Sequence, residues 1–142
     1  MSDLPMQYRT AYEWQGQASE GNITIESRSS LAVGTPHDLD RYCPEHLLVA
    51  TAETCMANYV LLIAKFSRLE IIKYESSSEG ELEQADDRKF RFKRIVIQPK
   101  ITVKDSDDLL ANKVVEKAHN ACLIARSFNF PVDIEVEIIL EK

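Results

Sequence analysis

The sequence predicts an α+β fold with mostly antiparallel sheets around a long buried central helix and a second helix. Three observations carry that prediction. Residues 44–69 hold a single apolar stripe at helical spacing and very little charge. The flanking segments alternate apolar and polar residues with a period of two, as half-buried strands do. Along the chain the order is strands, long helix, strands, helix, strand, so helices and strands are segregated.

The first strand is expected where Tyr8, Thr10, Tyr12 and Trp14 alternate with Arg9, Ala11, Glu13 and Gln15. Gly16 and Gly21 bracket a polar turn, and residues 22–31 read as a second strand paired with the first in a hairpin. Gly34-Thr35-Pro36 breaks that pattern, and residues 35–43 are a polar connection. In the central helix Leu48, Ala52, Cys55, Tyr59, Leu62, Phe66 and Leu69 fall at steps of four and three. The opposite face, with Ala50, Ala57, Val60, Leu61 and Ala64, is nearly as apolar, which predicts a helix buried all round. Pro44 suits its first turn. Glu53 is the only formal charge between Leu47 and Ala64. The run is long enough for a membrane, but Glu53, Thr54 and Asn58 near its centre favour a core helix.

Residues 71–84 read as strand with a polar turn at residues 76–80. Phe90, Phe92, Ile95, Ile97, Ile101 and Val103 make the next strand. Its period breaks between Phe92 and Ile95, which predicts a bulge. Pro99 predicts an edge strand or a second irregularity. Asp105-Ser106-Asp107-Asp108 offers a capping side chain and early negative charge to the second helix. That helix carries Leu110, Val114, Ala118, Ala121 or Cys122, and Ala125 on its apolar side. Residues 131–141 close the chain as a strand. One sheet cannot cover a helix that is apolar on every side, so a homodimer is expected.

At 142 residues the chain is expected to be a single domain, residues 1–142. A net charge of −6 makes a nucleic-acid partner unexpected. Met1-Ser2-Asp3-Leu4-Pro5 lacks the basic start and apolar run of a signal peptide. Together with three cysteines, an odd number, this predicts a cytoplasmic protein without a disulfide scaffold.

Cys55 and Cys122 sit on two different core-facing stripes. Each alone reads as a small buried hydrophobe. As a pair they also suit a redox site, one thiol being oxidised and the other trapping its sulfenic acid. A second class of reading is structural zinc, held by Cys43, His46, His119 and Cys122 as Cys-x-x-His and His-x-x-Cys pairs. No glycine-rich phosphate loop, Ser/His/Asp arrangement or basic aromatic patch stands out. His37 reads as a surface residue.

Pro44-Glu45-His46-Leu47-Leu48, followed by a small-residue helix reaching Cys55, resembles the helix of the OsmC/Ohr hydroperoxide reductases. Ala118-His119-Asn120-Ala121-Cys122 resembles that family's second-cysteine segment, and the element order matches over nearly the whole chain. The resemblance implies an intertwined homodimer with two active sites at the subunit interface. It implies Cys55 as the peroxidatic thiol, Cys122 as the resolving thiol and Glu45 as the acidic site residue. No cofactor is implied; the partners are a small organic hydroperoxide and an external dithiol reductant. Tyr59, Met56 and Phe66 are available to line an apolar pocket.

Two features depart from the family. Its loop between the first two strands carries an arginine, whereas residues 15–22 here hold no Arg or Lys. Such a departure suits a non-catalytic or redox-sensing relative. Arg41 and Arg126 are the nearest substitutes in sequence, each reading as a surface charge. Cys43 has no counterpart in the family pattern and reads as inert. Glu45 lies ten residues before Cys55, about 15 Å along a straight helix, so the two meet only across chains or around a bend.

Overall fold

The structure, a computed structural model, describes residues 4–142. Residues 1–3, the start of the Met1–Pro5 segment that lacks signal-peptide features, lie outside the described residues. The chain divides into two compact units, residues 1–48 and 49–142.

In the first unit Thr10–Trp14 (β1), Gly21–Ile25 (β2) and Leu31–Val33 (β3) form an antiparallel sheet in that order. The hairpin forms as expected, Thr10 facing Ile25 and Trp14 facing Gly21. The expected second strand over residues 22–31 is instead two strands. Glu26 takes a positive φ of 46° and Arg28 N–H donates to the Ile25 carbonyl, turning the chain before β3. Asp38 holds the following connection, accepting hydrogen bonds from the Thr35 backbone N–H and hydroxyl.

Pro44–Phe66 (α1) is one continuous helix of 23 residues. It stops three residues short of the expected end because Arg68 turns left-handed at φ 57°. Leu69 N–H then reaches back to the Ala64 carbonyl, a helix-ending bond that points Leu69 into the core. By length and composition α1 could cross a membrane. It is not buried all round. Ala52, Met56, Tyr59, Val60 and Ala64 are buried, while Ala50, Leu61 and Phe66 are exposed. A sheet offers only one face, so a single chain covers only one side of such a helix.

The second unit is built on Phe90–Lys104 (β5). Lys73–Gln84 (β4) pairs with it antiparallel, and Val132–Ile134 (β6) and Glu137–Glu141 (β7) pair with it in parallel. This sheet is therefore mixed, while most pairing in the chain is antiparallel, as expected. The expected turn at residues 76–80 is absent: β4 runs through it, with Tyr74, Ser76, Ser78 and Gly80 pointing inward between exposed neighbours. The bulge lies where the period breaks. Glu81 faces Arg94 but Leu82 faces Phe92, leaving Lys93 as the extra residue. Inward parity flips there, from Phe92 to Ile95, Ile97, Pro99, Ile101 and Val103, and all five later residues are buried. Pro99 is on no edge, because it sits between the stretches of β5 paired with β6 and with β7. A missing N–H is tolerated where the ladder is already interrupted.

Asp108–Ala121 (α2) packs on β5 and β7 and buries Ala111, Val114, Val115 and Ala118. Fully burying each aliphatic side chain of this core is worth roughly 1.5–3 kcal/mol. The Asp107 side chain makes no capping hydrogen bond, contrary to expectation. Asp108 supplies first-turn negative charge instead.

Candidate functional site

Cys55 projects from the middle of α1 and is half-buried; Cys122 is buried, with 1% of its surface exposed. Cys55 lies close enough to Cys122 to help raise its thiol. Cys122 lies at the break between α2 and the short helix Leu123–Ser127 (α3), where its ψ of 112° leaves the helical range. Burial pushes its thiol up to about 11, with further contributions from Cys55. The nearby Ala125 and Ile124 backbone N–H groups oppose part of that rise. Cys122 therefore holds its proton at neutral pH, near the more exposed Cys55. All three cysteines are unpaired by disulfides.

The remaining expected site residues lie elsewhere. Glu45 is exposed in the first turn of α1, and the unbroken helix puts about 15 Å of axial rise between it and Cys55. Cys43 is buried just before the helix, where its sulfur accepts the His46 backbone N–H at 3.5 Å and lies 3.4 Å from His46 Nδ1. The His119 ring is spent on the Val132 carbonyl, 2.8 Å from its Nε2. Among the described residues no three His, Cys, Asp or Glu side chains are grouped to hold a metal ion. Met56 and Tyr59 belong to the core, and Phe66 is 72% exposed.

Arg126 is exposed as expected, but Arg41 is no surface charge. Only 13% of its side chain is exposed. Its guanidinium donates to the Gly21 carbonyl at 2.8 Å, the Val33 carbonyl at 3.3 Å and Gln15 Oε1 at 2.9 Å, with Glu20 at 3.8 Å. The β1–β2 loop, lacking a cation of its own, thus receives one from residue 41.

Sequence reasoning missed a polar cluster on the far side of α1. Ser76 Oγ donates to Glu53 Oε2 at 2.5 Å. The buried Tyr74 hydroxyl, with no hydrogen-bond partner among the described residues, is held protonated up to about 12 by burial and then by Glu53. The signal was the strict alternation of Tyr74, Ser76, Ser78 and Gly80 with Glu75, Ser77 and Glu79, hidden by a composition that suggests a turn.

The fold is mixed α+β, with one thiol on the long helix α1 and a second at the break between α2 and α3. Residues 36–137 match the OsmC-like protein family. The chain belongs to that family. Its sequence is 27% identical over 133 residues to the uncharacterized protein YmaD of Bacillus subtilis, covering 87% of each chain. Its fold is similar to that of an OsmC-like protein of unknown function from Vibrio cholerae, with a TM-score of 0.81 and 20% identity over 94% of this chain and all of that one. It is also similar to the organic hydroperoxide resistance protein OsmC of Legionella pneumophila, with a TM-score of 0.75 and 17% identity over 97% of this chain and all of that one.

Proposed function

We propose that this chain is a thiol-dependent peroxidase that reduces alkyl or fatty-acid hydroperoxides to alcohols in the cytoplasm, working as a homodimer. The observation that carries the reading is the proximity of half-buried Cys55 to buried Cys122. The less buried partner is the one a peroxide can reach, so Cys55 is the attacking sulfur. Its thiolate takes the outer peroxide oxygen, the O–O bond breaks, and the alkoxide leaves as alcohol with one proton. Cys55 is then a sulfenic acid. Cys122, protonated until needed, does not compete for peroxide; its sulfur displaces hydroxide from Cys55, forming the disulfide and releasing water. An external dithiol reduces that disulfide by exchange. Glu45 is the acidic site residue by family correspondence. Exposed Tyr12, Trp14, Leu61 and Phe66 support a partner subunit.

A non-catalytic or redox-sensing relative is the second reading, favoured by the absence of Arg and Lys from residues 15–22. Consumption of cumene hydroperoxide with dithiothreitol separates the two. The parent turns over, Cys55→Ser abolishes consumption, and Cys122→Ser leaves one oxidation event per chain without sustained cycling. A parent that shows no peroxide consumption above the buffer rate overturns the peroxidase reading.

A further inference from the structure

The thiol pair requires α1 to sit at one angle about its own axis, yet its apolar pattern hardly selects one. Both faces are apolar, so burial gains differ little as the helix rolls. A polar contact can supply the missing choice, as single polar residues do in other helix interfaces. Glu53 is the only formal charge between Leu47 and Ala64, and it is bonded to Ser76 of β4. Four residues earlier on the same helical face, Val49 fits over Gly80 of β4. A Cβ on Gly80 would lie 2.6 Å from a Val49 methyl and 2.8 Å from the Phe92 ring. Ala57, four residues after Glu53, lines the same cleft as Tyr74 and Ser76. One row of α1 therefore lies along the inward row of β4, with a notch at Gly80 and a polar pin at Ser76.

We infer that Glu53 and Ser76 form a positioning pair that fixes the roll of α1 and thereby holds Cys55 against Cys122. Cys55 lies two residues beyond Glu53, about 200° around the helix, so a pin on one side aims the thiol on the other. A roll of one residue position, about 100°, turns the sulfur away. The inference rests on the paired-thiol reading above.

The test is the equilibrium of the parent and variants with glutathione buffers. Protein dithiol plus oxidised glutathione gives protein disulfide plus two reduced glutathione molecules. The Cys55–Cys122 disulfide is read by mass spectrometry after alkylation. Because the pair is aimed by the pin, Glu53→Ala and Ser76→Ala are each expected to shift the constant about tenfold toward the dithiol, roughly 30 mV in potential. Glu53→Gln keeps an oxygen that accepts from Ser76 and stays within about twofold of the parent on the same scale. The double variant shifts no further than either single, because both remove one interaction. Should Glu53→Ala fail to fold, Ser76→Ala, a smaller change, carries the comparison. A parent that forms the disulfide while both alanine variants stay within twofold of it, or while Glu53→Gln shifts as far as Glu53→Ala, overturns the positioning role alone. A parent that forms no Cys55–Cys122 disulfide in any buffer overturns the paired-thiol reading and this inference with it.

Discussion

The side chain of Cys122 shows how burial and a neighbour set one residue's chemistry. Its thiol is raised from 9.0 to about 11, chiefly because the buried thiolate would lose its water. In the unfolded chain the thiol loses its proton near 9, whereas in the folded chain it holds it to about 11. The unfolded state therefore binds fewer protons across that window, and stability falls as pH rises through it. Urea unfolding from pH 8 to 11 under reducing conditions should show this loss in the parent and less of it in Cys122→Ser; parallel curves would refute the account. The sequence offered both thiols as positions on apolar stripes. It could not offer the environment of either, nor the fate of Arg41. A guanidinium reads as a surface charge until the fold brings the Gly21 and Val33 carbonyls beside it.

Among the elements, those with strong periodicity were readable and those interrupted by turn-forming residues were not. The helix start at Pro44 and the bulge before Ile95 follow from local pattern alone. The run Ser76-Ser77-Ser78-Glu79-Gly80 has the composition of a turn, yet pairing with residues 95–99 of β5 makes it strand. Propensity is a weak prior for a strand that has a full partner. Gly80 is kept free of a side chain by the close approach of Val49. Gly80→Ala should therefore cost about 1–3 kcal/mol by overpacking, despite alanine's better strand entropy. A urea midpoint equal to or above the parent's would show that α1 does not press on β4 there.

At the scale of the molecule, the apolar surface left uncovered is what points to a partner. Every residue of β1 is exposed, and Trp14, Leu61 and Phe66 are 58%, 48% and 72% exposed. Scattered apolar residues are ordinary on a surface, but a three-stranded sheet this poorly buried has little stability alone. Sedimentation should give twice the chain mass, and Phe66→Glu should shift the population toward one chain. A parent that sediments as a single chain at micromolar concentration would refute the dimer.

The sequence by itself determined the long helix, the bulge and the positions of the two thiols on apolar stripes, because each depends on residues near one another along the chain. Only the tertiary structure decided the parallel pairing of β6 and β7, the burial of Arg41, the Glu53–Ser76 bond and the burial of Cys122. Those depend on which distant groups share a low-dielectric interior, and local periodicity carries no record of that.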